Sequence, residues 1–183
     1  MRDRKRWMAL TVTVVVVALG GWTANNWRSL RPYKWQQVES PDAQFRISFP
    51  GNPVASQETM TATEDGSEFV SNRLTSAPTP GVIYALNWWE NPAQNDKSTD
   101  KLFADFRDCN IKVFHGKILR EKEIDVQGHP AIDTVVLAAN GLVMENRVIR
   151  AGPRFYSLRV LDSSGRLDHR KDVQTFFSSL SLR

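Results

Sequence analysis

The side chains that most often carry catalysis or hold metals are few in this sequence and stand far apart. There are three histidines, His115, His129 and His169, and one cysteine, Cys109. None of them stands at the short spacing of a zinc site or of a helical metalloprotease motif. Asp168 and His169 are neighbours on a predicted helix, so their side chains point in different directions. The sequence therefore predicts no metal site, and Cys109 is interpreted as a small buried apolar group.

The nucleophile-elbow motif of hydrolases and the usual phosphate-binding motifs are also missing from the sequence. It contains no G-x-S-x-G, G-x-x-x-x-G-K-[ST] or G-x-G-x-x-G pattern. Its one S-x-x-K match begins at Ser98, where that serine is expected to cap a helix. The carboxylate pairs Glu64-Asp65 and Glu121 with Glu123 fall in an expected turn and on an expected exposed strand face. We therefore predict no catalytic and no cofactor-binding residues, and we expect a non-enzymatic protein, with a small hydrolase as the least favoured alternative.

Two adjacent tryptophans, Trp88 and Trp89, are the side chains best suited to binding. Adjacent residues of a strand face opposite sides of the sheet, so two interpretations stay open. Both rings can lie in the core of a sheet covered on each face. Alternatively Trp89, with Tyr84 or Trp35 nearby, anchors a partner, as exposed aromatic residues do at interfaces. An apolar pocket lined by the Trp88 strand would favour a small ligand, and a convex aromatic patch would favour a protein partner.

The positive net charge of +4 belongs to the N-terminal part of the chain. Seven of the 24 basic residues lie within the first 34, which leaves 17 basic residues against 19 acidic ones in the remainder. Nucleic-acid binding depends on a clustered basic face that releases counterions. The folded part shows no such cluster in its sequence, so no nucleic-acid partner is expected.

An uncharged run from Trp7 to Trp22 follows a basic start. It can be a signal peptide cleaved near Ala18-Leu19-Gly20, or a retained signal-anchor helix of about 24 Å, short for a bilayer core of about 30 Å. The flanking tryptophans and the poor cleavage site favour the anchor. We therefore predict a segment at 1–22 that contacts the lipid bilayer, a linker at 23–34 and a domain at 35–183. The chain would be single-pass in the cytoplasmic membrane, N-terminus inside and domain extracytoplasmic, or periplasmic or secreted after cleavage.

The domain has the pattern of an antiparallel sheet with two helices. Alternating or continuous apolar runs predict strands at 45–49, 54–63, 68–76, 82–88, 117–127, 131–139, 142–151 and 154–161. Turn signals separate them, the strongest being Asn140-Gly141. Ser98 is expected to cap a helix that ends near Cys109 to Asn110, and a last helix follows Gly165. We therefore predict an α+β domain with helices packed on a central sheet.

The order of these pieces is also that of a known family. The chain carries Phe45-x-Ile47-x-Phe49-Pro50-Gly51-x-Pro53, a Gly128-x-Pro130 turn, a strand with Arg147, then Arg154-Phe155-Tyr156 and a closing helix with Phe176-Phe177-Ser178-Ser179-Leu180. Over about residues 35–183 it resembles the PsbP-like (Mog/PsbP) superfamily, especially its bacterial envelope members. The resemblance implies an α/β/α sandwich around an antiparallel sheet and carries over no catalytic or ligand residues.

These observations together predict a membrane-tethered, extracytoplasmic domain that binds an envelope protein or supports an envelope complex. The alternative is a small-ligand or lipid-binding domain. The candidate contact residues are Trp35, Tyr84, Trp88 and Trp89.

Overall fold

The computed structural model describes residues 33–183 except 43, 62–65, 67, 92–94, 96 and 166–170. The run from Trp7 to Trp22, most of the predicted linker, and Asp168-His169 lie outside the described residues. Within the described ranges, no helix is both long and apolar enough to cross a membrane.

Ten strands and two helices make up the described part of the chain. They are β1 (Trp35–Glu39), β2 (Phe45–Pro50), β3 (Val54–Thr61), β4 (Glu68–Thr79), β5 (Val82–Glu90), α1 (Thr99–Phe114), β6 (Lys117–Val126), β7 (His129–Leu137), β8 (Val143–Ala151), β9 (Arg154–Asp162), α2 (Lys171–Ser178) and β10 (Ser181–Leu182).

A seven-stranded antiparallel sheet has the order β3-β4-β5-β9-β8-β7-β6. Two-residue turns set its register, as between β6 and β7, where Val126 faces His129. The turn residues Gln127 and Gly128 both have positive φ, 57° and 83°, which suits the right-handed twist of a hairpin. Asn140-Gly141 lies in the turn between β7 and β8, as the sequence predicted, and Gly141 has a φ of 84°.

A second, three-stranded antiparallel sheet has the order β1-β2-β10. Its central strand β2 alternates buried Phe45, Ile47 and Phe49 with half-buried residues. The C-terminal strand pairs with the same β2, Leu182 opposite Phe45. Both ends of the domain are therefore fixed to one strand.

Each face of the large sheet has its own apolar layer because strand residues alternate between faces. On one face, Trp88 and Leu158 pack with Phe45 of β2 and Phe176 of α2 in the main core. On the opposite face, Trp89 packs in a smaller cluster with residues of α1. Strand β5 is thus covered on both sides, as its continuous apolar sequence predicted.

The expected α/β/α sandwich was wrong. Most residues that the structure describes lie in strands of two antiparallel sheets, and the two helices of this part have 16 and 8 residues. The physical reason is that β1, β2 and β10 pair with one another. With α2 they cover the face on which a helix layer was expected.

The helix boundaries also differ from the predicted ones. Ser98 caps α1 as predicted, and its Oγ accepts a hydrogen bond from the Lys101 amide. The helix nevertheless runs on to Phe114 and ends at His115, whose φ is 45°. Leu180, predicted on the last helix, is buried after the end of α2, where the chain turns into β10.

Candidate functional site

An open cleft of about 420 Å³ lies at the end of the large sheet where β4, β5 and β9 approach the turn between β1 and β2. Its walls are formed by Asp42, Glu68, Phe69, Val70, Asn72, Trp88, Trp89, Glu90 and Arg154. Apolar and charged side chains therefore meet in one solvent-open depression.

Strand register brings these residues together. Asn72 of β4 lies opposite Trp88 of β5, and Glu90 lies opposite Arg154, the first residue of β9. Directly opposite residues of an antiparallel pair have their Cβ atoms about 5 Å apart. Asp42 reaches the same place from the turn before β2.

Arg154 joins the two sheets through two carboxylates. Its Nη1 donates to Asp42 Oδ2 at 2.5 Å, and its Nε and Nη2 donate to Glu90 Oε1 at 3.0 and 2.8 Å. Burial works against the charge of Arg154, but these hydrogen bonds outweigh it and raise the pKa of the guanidinium. Burial would likewise raise the pKa of Asp42, yet hydrogen bonds from Ser40 and Arg154 hold it below its ordinary value. Asp42 and Arg154 therefore form an ion pair at neutral pH.

The tryptophans form the rigid wall of the cleft. Trp88 meets Phe45 edge to face, with ring centroids 5.0 Å apart, and Trp89 stacks on Phe155 at 5.7 Å. The two indoles are only 9% and 8% exposed, so each presents little surface to the solvent. Val70, which is 50% exposed, provides the accessible apolar surface at the rim.

The charges of the cleft are unbalanced. Its described lining has three carboxylates, Asp42, Glu68 and Glu90, against the single guanidinium of Arg154. Since Arg154 is already engaged by Asp42 and Glu90, the field at the mouth is negative. Such a site attracts a cationic group that also carries apolar surface.

The structure brings together two of the four predicted contact residues. Trp88 and Trp89 line the cleft, whereas Tyr84 and Trp35 do not. Tyr84 is buried, and its hydroxyl donates to Asp172 Oδ2 at 2.7 Å. Trp35 lies on β1 with an exposed side chain, its ring edge against Tyr33. Trp88 and Trp89 are both nearly buried, which agrees with the interpretation that both rings lie in the core, although each also lines the cleft.

None of the charged residues of the cleft was predicted from the sequence. Asp42, Glu68, Glu90 and Arg154 are separated by 22 to 64 residues from one to the next along the chain. No local spacing signals their meeting, because it depends on the pairing of β4, β5 and β9.

A second depression, of about 400 Å³, lies beside the start of α1 and is lined by Asn95, Thr99, His129, Pro130, Arg150, Gly152 and Pro153. Arg150 there donates to the carbonyl oxygens of Lys97 and Asn95 at 2.8 and 2.9 Å. Its guanidinium thus fixes the segment before α1. Across the described ranges, no group of three or more His, Cys, Asp or Glu residues is arranged to hold a metal ion.

Comparison with known proteins gives a likeness of fold. No protein-family model matches the chain, and no curated protein matches it. Cyanobacterial PsbP from Synechocystis has a similar solution structure, with a TM-score of 0.57 and 11% identity over 90% of this chain and 99% of that one. Two other structures are more distant. A protein of unknown function from Pseudomonas aeruginosa has a TM-score of 0.43 and 13% identity over 79% of this chain and 94% of that one. A Bacteroides thetaiotaomicron protein has a TM-score of 0.41 and 10% identity over 81% of this chain and 48% of that one. The similarity to cyanobacterial PsbP supports a PsbP-like fold.

Proposed function

We propose that this protein is a non-enzymatic binding domain that recognises a basic segment of a partner protein in the Trp88–Trp89 cleft. The observation that carries the proposal is the meeting of exposed apolar surface with an excess of carboxylates in one open depression. A lysine or arginine side chain suits such a place, because its aliphatic stem can cover Val70 while its charged head approaches Glu68.

The openness of the cleft favours a protein segment over a small ligand. Small-ligand sites enclose most of the surface of what they bind, and this cleft is open to solvent. A peptide segment that continues beyond the cleft can bind there without being enclosed on all sides. The alternative, a small-ligand or lipid-binding domain, would need a closed apolar pocket lined by the Trp88 strand.

The proposed location is the outer side of the cytoplasmic membrane. It depends on the uncharged run from Trp7 to Trp22 and on the basic residues before it, which favour a cytoplasmic N-terminus. The partner would then be an envelope protein, and the domain would contribute to the assembly or maintenance of an envelope complex. If the run is cleaved, the same cleft would operate in the periplasm or outside the cell.

A photocrosslinking experiment tests the partner directly. A photoreactive amino acid replaces Val70 in the full chain, and in a control chain it replaces Leu119, which is 52% exposed on β6, at the opposite edge of the large sheet. After illumination of native membranes, we expect a discrete protein adduct from position 70 and none from position 119. Recovery of the same products from both positions, or of lipids alone, would contradict the proposal.

The charge of the cleft can be tested with the adduct as the readout. Glu68→Gln removes one negative charge from the mouth, and Glu123→Gln is a matched change on an exposed face of β6. We expect the adduct yield from position 70 to fall about threefold or more with Glu68→Gln, and to depend less on salt concentration. An equal effect of the two substitutions would exclude electrostatic recognition at this cleft.

A further inference from the structure

A second polar cluster lies on the sheet face that carries α1, and its central residue is Arg159 of β9. The side chain shares this face with Ser157, two residues before it. Its Nε donates to Ser157 Oγ at 3.0 Å and to Asn146 Oδ1 at 3.3 Å, and both partners are buried. These two acceptors hold the guanidinium in place and use one of its nitrogens.

The charge of Arg159 has no carboxylate to balance it among the residues that the structure describes. Its neighbours are Cys109 of α1 and a second guanidinium, that of Arg73 on β4. Burial lowers the pKa of Arg159, and repulsion from Arg73 adds to this effect. Arg73 itself is held by Asn87 Oδ1 at 2.6 Å and lies 3.6 Å from Glu58.

Four N–H groups of Arg159, on Nη1 and Nη2, donate to no protein atom of the described part. Arg159 is half-buried, so these N–H groups can be reached from solvent, and a partly enclosed guanidinium without a carboxylate favours an anionic acceptor. The side chain of Asn110, next to Cys109 on α1, is buried and also lacks a described hydrogen-bond partner. Two polar groups on this face thus have unused hydrogen-bonding capacity.

Strand register places apolar surface beside these donors. Ala85 lies directly between Thr75 and Arg159 in one row across β4, β5 and β9, and Val54 of β3 continues the row. Ala85 itself is buried, whereas Val54 and Ile83, on the same face, are both exposed. Ile83 is two residues from Ala85, the direct partner of Arg159, so exposed apolar surface lies near the guanidinium.

We propose that Arg159 binds the oxyanion of an amphiphilic anion whose alkyl part extends from the guanidinium toward the exposed side chain of Ile83. A carboxylate or a phosphate supplies the acceptors that Nη1 and Nη2 lack, in the bidentate geometry that arginine favours. Apart from its position on the same sheet, this site shares no residue with the Trp88–Trp89 cleft and is independent of the proposed function.

Cys109 provides the assay, because it is the only cysteine of the chain and lies beside Arg159. The full chain is placed in phosphatidylcholine nanodiscs, and the rate of alkylation of Cys109 is followed while hexanoate, hexyl phosphate, acetate or inorganic phosphate is added. We expect hexanoate or hexyl phosphate to slow alkylation with saturation, at concentrations at least tenfold below those needed for acetate or inorganic phosphate.

Substitutions identify the residue responsible. Arg159→Gln keeps a donor for Ser157 and Asn146 but removes the charge, and we expect it to weaken hexanoate protection at least tenfold. Arg46→Gln, a change at an exposed arginine of the small sheet, is the control and should leave protection unchanged. Direct titration calorimetry of both variants measures the same ratio without the thiol.

Three outcomes would overturn the proposal. They are no saturable effect of either hexyl compound, equal binding by Arg159→Gln and the unmodified chain, and equal protection by acetate and hexanoate. Equal protection by acetate and hexanoate would show that the alkyl chain makes no contact that contributes to binding.

Discussion

Replacing Asp133 with alanine tests the packing of α2 on the sheet. Asp133 and Arg147 face each other across β7 and β8 and form a bidentate pair, with Nε–Oδ1 and Nη2–Oδ2 distances of 2.7 and 2.8 Å. The same guanidinium lies 5.0 Å from the centre of the Phe177 ring of α2 and donates to its carbonyl oxygen at 3.4 Å. The ion pair therefore holds the group on which this end of α2 rests.

The expected loss of stability follows from the burial of the pair. Removing one partner of a fully buried ion pair costs about 3–5 kcal/mol, because the other charge stays buried and unpaired. Here both side chains are 19% exposed, so that water partly solvates the remaining guanidinium. The contact with Phe177 also remains. We therefore expect Asp133→Ala to lower the free energy of unfolding by about 2–4 kcal/mol.

Urea unfolding of the full chain, followed by tryptophan fluorescence, measures this loss. A double-mutant cycle with Arg147→Met separates the pair from its surroundings. Since methionine leaves no charge to bury, the double variant should be less destabilised than the sum of the single variants by about 2 kcal/mol. Additive losses, or a loss below about 0.5 kcal/mol for Asp133→Ala, would refute the reasoning because surface ion pairs behave in that way.

Four further substitutions are informative. Because the pKa of Asp42 is lowered in the folded state, its contribution to stability is present above about pH 4 and is lost as the pH falls through the folded value, so Asp42→Asn should flatten the acid limb of a pH–stability profile. Gly116→Ala places a Cβ 2.7 Å from the Leu137 carbonyl oxygen and should destabilise by about 1–3 kcal/mol. Gly128→Ala, in open space at a φ of 83°, should cost about 1 kcal/mol in thermal unfolding. Ser98→Ala should cost about 1 kcal/mol and speed amide exchange in the first turn of α1.

Local signals were sufficient for the strands of the large sheet. Asn140-Gly141 marks a turn because both residues tolerate positive φ, and the structure places it between β7 and β8. The continuous apolar sequence of β5 indicated cover on both faces, and Trp88 and Trp89 indeed belong to separate apolar clusters. These features depend on residues that are neighbours in the chain.

Features that depend on distant pairing could not be predicted. Strand β10 has two residues, too few to show a period, and it forms because β2 offers it an edge. The expected layer of helices was wrong for the same reason. The cleft residues Asp42 and Arg154 are in contact but lie 112 positions apart. The end of α1 at Phe114 has a local explanation. Phe114 is followed by His115 with left-handed geometry and then by Gly116, which fits closely against β7.

The pairing of the last residues with β2 has a practical consequence for any affinity tag or reporter joined after Arg183. The backbone amide of Arg183 donates to the Gln44 carbonyl oxygen, two residues from Asp42 in the wall of the cleft, and its side chain contacts Glu39. A fused protein would thus begin beside the mouth of the cleft and compete sterically with whatever enters it. Capture experiments should use a long flexible spacer at this end, and a comparison of short and long spacers would itself report on occupancy of the cleft.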